Sequence, residues 1–477
     1  MKTFDAIVIG AGPGGYPCGI RLGQLKQKTL VIEKDQPGGV CLNWGCIPSK
    51  ALISTAHLYE KAKNGASQGI KATVELDANV MQDWKDGIVK RLTGGVRTLL
   101  KSNGAELISG TATITGPHTV SVQSATGEVE TYEAQKGIVI ATGATTIEIP
   151  TFKFDPPQAP GEPRKHPRII GAKEAVSLRE IPKRLLVIGG GIIGLELGMV
   201  YQKLGSALTV VEALPDILTG VDPECAKVVE RRIEKHGGKI YKKAKALGYV
   251  TQPDGSLVVN VEIDGKPESI PCDTVLVAVG MRPASKNLGL DKVGVTVDAR
   301  GFIPTDKFGR TNLPSIYAVG DVSGAPLLAH KATKEGEIVA EVIAGLKSEK
   351  DWVTIPGAIF TDPEIATAGL TADEAKARGI EVVVGKFPFA ALGRAMAMNE
   401  TEGFVKVVAD KKTKQVLGVH IVGPEASNMI SEAALGLEMA AFLEDIAATI
   451  HPHPTLGEAL MEASAAALGH AIHIGNR

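Results

Sequence analysis

The sequence predicts an α/β protein with two Rossmann-like domains and a separate C-terminal α+β domain. Three observations carry that expectation. A strand, glycine turn and helix occur twice, from Ala6 to Leu25 around Gly10-Ala11-Gly12-Pro13-Gly14-Gly15 and from Leu185 to Leu204 around Gly189-Gly190-Gly191-Ile192-Ile193-Gly194. Each unit leads to a β-rich run ending in an acid, Thr29-Leu30-Val31-Ile32-Glu33 and Leu208-Thr209-Val210-Val211-Glu212, and both acids stand 23 positions beyond the first glycine. From about Asp351 the pattern changes to mixed strands and alanine-rich helices with no further glycine fingerprint.

In chain order, the first strand begins almost at once, with Phe4-Asp5-Ala6-Ile7-Val8-Ile9. Each unit later has another apolar strand that stops at a glycine, Gly137 to Gly143 in the first and Thr274 to Gly280 in the second. Pro156-Pro157-Gln158-Ala159-Pro160-Gly161-Glu162-Pro163 is too rich in proline for regular structure and reads as a linker or loop. A third strand, Ile316 to Val319, ends at Gly320-Asp321. These changes place domains at 1–150, 151–281, 282–350 and 351–477, in keeping with a chain of 477 residues, too long for one core.

Composition excludes some partners. The chain is 44% apolar and 22% charged, with 55 glycines and a formal charge of -1, so nucleic acid and acidic membrane are poor candidates for its main partner. The most apolar run, Leu185 to Leu195, is far too short and glycine-rich to span a bilayer, and no leader segment is visible. Five cysteines do not make an extracellular disulfide framework, which points to a reducing compartment such as the cytoplasm.

A strand that turns sharply into a helix aims backbone N–H groups and the positive helix end at a pyrophosphate, and glycines permit that approach. Gly10, Gly12 and Gly15 fit one such site, and Gly189, Gly191 and Gly194 a second. Glu33 and Glu212 stand where a ribose hydroxyl is bound. Ala213-Leu214-Pro215-Asp216 follows Glu212 without an arginine, so a 2′-phosphate would meet a carboxylate unrelieved, and NAD is expected over NADP.

Cys41 and Cys46 lie shortly after the first ribose acid, in Gly38-Gly39-Val40-Cys41-Leu42-Asn43-Trp44-Gly45-Cys46-Ile47-Pro48-Ser49-Lys50. Pro48 suits the first turn of a helix, which would put Cys46 at the helix N-terminus, where a thiolate is stabilised. A disulfide across so short a loop adds little stability. No metal is expected, because His57 alone does not complete a zinc site with the pair. Cys18, Cys225 and Cys272 stand apart and read as ordinary buried residues.

Together with Gly189 to Glu196, Tyr317-Ala318-Val319-Gly320-Asp321 and His451-Pro452-His453-Pro454-Thr455-Leu456-Gly457-Glu458, the cysteine segment resembles the pyridine nucleotide-disulfide oxidoreductases, over essentially the whole chain. The likeness is greatest to those members that oxidise protein-bound dihydrolipoamide. It implies FAD at the first fingerprint, NAD at the second, a redox-active Cys41–Cys46 disulfide, and a C-terminal domain that forms a homodimer. It also implies that region 282–350 completes the FAD site, with Asp321 near the ribityl chain and Thr142, Gly143 and Ala329 among the cofactor-binding residues; Gly280 is grouped with the second site. Lys50 and Glu196 match a charged pair near the flavin's reactive face. His453 matches a general base and Glu458 the acid that orients it, both reaching the cysteines of the other subunit. Taken alone, Thr455 to Glu458 also fits a helix capping box. The implied partners are lipoyl domains and the core of 2-oxo-acid dehydrogenase complexes. The alternatives are a glutathione- or mercuric-reductase-like enzyme and a non-enzymatic flavoprotein or scaffold subunit. Against the first two stand Ile47-Pro48-Ser49-Lys50, Ile192, and the lack of any cysteine after Cys272.

Overall fold

The computed structural model describes residues 1–156 and 168–476, which fall into two compact units. Unit 1 comprises Met1–Ile149, Gly171–Glu180 and Gly280–Asp351; unit 2 comprises Pro150–Ile170, Ile181–Val279 and Trp352–Arg477. Apart from Pro156, the proline-rich stretch expected to be a linker lies outside the described residues.

In unit 1 the strands Ala105–Ser109, Thr29–Glu33, Lys2–Ile9 and Val129–Ile140 lie side by side in that order and run parallel, and Ile316–Ala318 adds to the far side of Val129–Ile140. Parallel strands buried on both faces need continuous apolar runs. Ile7, Val8, Leu30, Val31, Ile138 and Val139 supply them and are all fully buried. Thr111–Gly116 and Thr119–Gln123 extend the sheet antiparallel from Val129–Ile140. Residues 171–180, inside the span expected for the second domain, pack with unit 1. Their carbonyls are the reason: Lys85 Nζ donates to Val176 O at 3.1 Å and Gln82 Nε2 to Leu178 O at 2.8 Å, giving two buried polar side chains their partners.

Unit 2 repeats the parallel pattern. Its sheet runs Lys239–Tyr241, Ala207–Val211, Arg184–Ile188, Thr274–Val277 and Ile169–Ile170, with the strand that leads into the glycine turn, Arg184–Ile188, in the middle. A three-stranded antiparallel meander spans 244–272. The C-terminal part is a five-stranded antiparallel sheet between Gly357 and Gly423, covered by helices that include Ala426–Glu438 and Glu458–Leu468. Phe387, Phe389, Val405, Val419, Ile421 and Leu460 form its core.

Candidate active site

The two glycine turns are built alike. Gly10 and Gly189 end their strands at φ +101° and +106°, and a Cβ on either would strike the carbonyl of the neighbouring strand's end, Ala141 or Ala278. Gly15 and Gly194 let the following helix pass directly over Gly10 and Gly189, whose carbonyl oxygens a Cβ would overlap. The helices then run over Gly15–Gln24 and Ile192–Lys203.

The acids are held by their own turns. Glu33 accepts a hydrogen bond from Ala11 N at 2.7 Å and one from Asp35 N at 2.9 Å; Glu212 accepts from Gly190 N at 2.6 Å and Leu214 N at 2.7 Å. Each carboxylate therefore points at its glycine turn and keeps lone pairs for a hydroxyl donor. Lys242, which pairs with Asp216 of the 213–216 loop at 3.5 Å, is also engaged by Glu230 at 2.8 Å.

The first turn also carries the cysteine segment. Gly38 N donates to Ala11 O at 2.7 Å, and Gly39, at φ +57°, lies so near the turn that a Cβ there would stand 2.7 Å from the Gly12 Cα. Cys41 sits in the short helix Gly39–Asn43, and Cys46 is the first residue of the helix Cys46–Lys63. The two side chains are hydrogen-bonded to each other. The hydrogen bond between the side chains of Cys41 and Cys46, burial, and the negative charge of a Cys46 thiolate push the Cys41 thiol upward, with Lys50 pulling weakly the other way. Cys18, Cys225 and Cys272 are buried, and burial raises the first and last to about 12. Those three are inert beside the pair.

Thr142 donates its hydroxyl to Ala284 O at 2.8 Å, and Ala284 N donates to Gly143 O at 2.9 Å, tying the first sheet's end to the region after residue 280. Gly280, at φ +118°, belongs to unit 1, where Ile147 N donates to its carbonyl at 3.1 Å. Ala329 opens the helix Ala329–Ile343. Asp321 lies in the short 3₁₀ turn Gly320–Val322, and burial raises its carboxyl above the ordinary range against the pull of Lys331. Among the described residues no hydrogen-bond donor reaches that carboxylate. An acceptor so placed fits a polyhydroxylated cofactor, as do the acid-lined glycine turn and its N–H groups.

In unit 2, Glu196 is buried in the helix Ile192–Lys203, and its Oε1 accepts from Phe360 N at 2.8 Å. It is no solvated surface acid. His453 is exposed; its Nδ1 lies 2.8 Å from Glu458 Oε1, while Glu458 Oε2 accepts from Thr455 N at 2.7 Å. The capping expectation is corrected in part, since Gly457 is the N-cap and the Thr455 hydroxyl turns away to Pro452 O at 2.7 Å. One carboxylate thus serves both the turn and the imidazole. Burial opposes its ionisation, but the Thr455 N–H and His453 hold Glu458 below its ordinary range.

Sequence reasoning missed the neighbouring pair of His451 and Glu432, Nε2 to Oε1 at 2.8 Å, in which the other ring nitrogen faces Thr449 O. Both nitrogens of His451 are committed, whereas only Nδ1 of His453 is engaged among the described residues. The repeated His-Pro of the motif was a signal for it.

No helix among the described residues is long and apolar enough to cross a membrane. The model of the pyridine nucleotide-disulphide oxidoreductases matches residues 4–336, and that of the family's dimerisation domain matches 355–464. The dihydrolipoyl dehydrogenase of Geobacillus stearothermophilus is 46% identical, over 98% of this chain and 97% of its own. That of Thermus scotoductus is 47% identical over the whole of both. The crystal structure of LpdA from Mycobacterium tuberculosis has a TM-score of 0.87 at 25% identity, covering 97% of this chain and 99% of its own. Such enzymes use FAD and NAD, the cofactors expected from the sequence. The chain belongs to the pyridine nucleotide-disulphide oxidoreductases.

Proposed function

We infer that this chain oxidises dihydrolipoamide to lipoamide with NAD⁺ as acceptor, the activity named in relatives that match it end to end. The observation that carries the reading is the thiol pair at a helix N-terminus, fixed by backbone contacts to a dinucleotide turn.

The catalytic cycle begins with the pair as a Cys41–Cys46 disulfide. His453 takes a proton from one substrate thiol, and Glu458 holds the imidazole through Nδ1 and supports its positive form. The substrate thiolate attacks Cys41 Sγ, the Cys41–Cys46 bond breaks, and Cys46 leaves as a thiolate favoured by the helix end. The second substrate thiol then attacks the substrate sulfur bonded to Cys41, closing the lipoamide disulfide and leaving the pair reduced. Bound FAD would supply the two-electron chemistry that links the dithiol to NAD⁺. Gly10, Gly12, Gly15, Glu33, Lys50, Thr142, Gly143, Asp321 and Ala329 would hold it. Gly189, Gly191, Gly194, Glu212 and Gly280 would serve the nicotinamide nucleotide. Glu196 and Lys50 would flank the reacting ring.

The proposed organisation has four parts, 1–150, 151–281, 282–350 and 351–477, with His453 and Glu458 serving the cysteines of the second subunit of a homodimer. Lipoyl domains and the core of 2-oxo-acid dehydrogenase complexes are the proposed partners, in the cytoplasm. An anaerobic titration with dihydrolipoamide, followed by NAD⁺, tests the activity by the flavin spectrum: reduction and then reoxidation are expected. Glutathione turnover with NADPH in place of lipoamide turnover would overturn it. Cys46→Ser should retain FAD and lose the long-wavelength thiolate-to-flavin absorbance, and persistence of that band would reassign the two cysteines.

A further inference from the structure

A lysine stands beside the acid of the second glycine turn, and two carboxylates hold it. The strand Lys239–Tyr241 lies parallel to Ala207–Val211, the strand that leads to Glu212. The chain beyond it is strapped to the loop that follows the acid. Glu212 N donates to Tyr241 O at 2.8 Å, Lys243 N to Leu214 O at 3.0 Å, and Ala244 N to Glu212 O at 2.8 Å. Lys242 therefore sits between backbone anchors on Glu212 and its loop. Its ammonium lies 3.5 Å from Asp216, at the end of that loop, and 2.8 Å from Glu230, on the helix Pro223–Lys235. The side chains of Lys242 and Glu230 are 31% and 20% exposed and that of Asp216 is 77% exposed, so Asp216 forms the solvent-facing side of the cluster.

We propose that Lys242 is a latent 2′-phosphate ligand, held out of use by Glu230 and Asp216, so that the preference for NAD rests on this tether as well as on Glu212. The inference deepens the reading of the second turn as the nicotinamide nucleotide site and rests on it. A 2′-phosphate would arrive on the ribose position that Glu212 serves, where a nearby cation is what accommodates it. A lysine can do so as a point charge, with no need of the fork geometry of arginine. The strand pairing supplies such a cation next to the acid. Its charge is already matched by two carboxylates, which would also repel the incoming dianion. Lys243, next in the chain, is exposed and is the rival cation.

The test compares steady-state kcat/KM for NADP⁺ and NAD⁺ in the FAD-loaded enzyme. The double variant Asp216→Asn, Glu230→Gln should raise the NADP⁺ value about tenfold, through KM, and leave the NAD⁺ value within about twofold. High ionic strength should shrink the gain. Adding Lys242→Gln should abolish it. No gain in the double variant overturns the inference. So does a gain that survives Lys242→Gln, which would assign the effect to the carboxylates alone or to Lys243. Equal losses with both nucleotides and a lowered thermal midpoint would make the cluster purely structural and overturn it as well. Glu212→Gln, measured alongside, separates the two readings. If it leaves KM for NAD⁺ unchanged, the turn is not the nucleotide site and the proposal falls with it. If it raises that KM while the double variant gains nothing with NADP⁺, the tether alone fails.

Discussion

The two glycine turns share strand order, φ angles and an acid held by the same backbone offsets, but they differ in what covers them. Gly12 lies against Gly39, Gly14 against Val319 and Ala332, and the Thr333 hydroxyl donates to Pro13 O at 3.0 Å. In unit 2 a Cβ on Gly191 would meet nothing within 4 Å among the described residues, and Ile192 and Ile193 are 42% and 36% exposed. One turn is built into layers drawn from three stretches of chain; the other is open. That difference suits a cofactor that stays through turnover at the first and one that exchanges at the second.

The sharpest way to break this comparison is Gly15→Ala. Its Cβ would overlap the Gly10 carbonyl inside the layered turn, so we expect loss of most bound flavin and a destabilisation of about 3 kcal/mol, read by flavin-to-protein absorbance and thermal unfolding. Retention of full flavin would mean the turn is not what holds it. Next in size, Glu212→Gln removes a charged acceptor from the open turn and should raise KM for NAD⁺ roughly 30-fold, from the ~2 kcal/mol of a charged hydrogen bond, while narrowing the preference over NADP⁺. Steady-state kinetics with both nucleotides decide it; equal use of NADP⁺ by the unaltered enzyme would contradict the role of this acid. Gly191→Ala places a methyl on the open surface, so flavin content and thermal midpoint should hold while KM for NAD⁺ rises about tenfold. Flavin loss there would erase the distinction between the turns.

The smallest effect concerns the ion cluster that anchors the second region within its own unit. Lys406, nearly buried, pairs with Asp222 at 2.8 Å and Glu224 at 2.6 Å. Burial works against ionisation of Glu224, yet Lys386 and Lys406 hold it down at about 2. Because the folded-state value is depressed, its stabilisation is fully present above the ordinary carboxylate range and is lost as pH falls from about 4.5 towards about 2. Glu224 is 51% exposed, so the contribution is under ~1 kcal/mol after screening. Glu224→Gln should flatten the acid limb of the thermal midpoint by that amount. An unchanged acid limb would show that the cluster adds nothing to stability.

What was legible in the sequence was what local chemistry dictates. The turn glycines, the equally spaced acids and the helix start at Cys46 follow from the backbone freedom of glycine, from short continuous apolar runs and from proline at a first turn. The rest depends on contacts between distant stretches. Nothing local to residues 171–180 says that Gln82 and Lys85 need their carbonyls, and nothing local to Lys406 says that a lysine on an apolar strand will find Asp222. The Thr455 capping reading failed in detail because Gly457 caps the helix, and the Thr455 hydroxyl donates to Pro452 O instead of accepting from a helix N–H. The pairing of His473 with Glu462 was missed for the same kind of reason, since the histidine lies in the tail beyond the helix that carries its partner and no motif links them.

The contact between Gly12 and Gly39 has one more consequence. Main chain meets main chain there, with no side chain between to lengthen, shorten or repack. Substitutions around Cys41 can therefore alter acidity and access, but they leave the spacing from thiols to nucleotide turn as it is. That spacing behaves as a fixed gauge length, and only a change of backbone path could reset it.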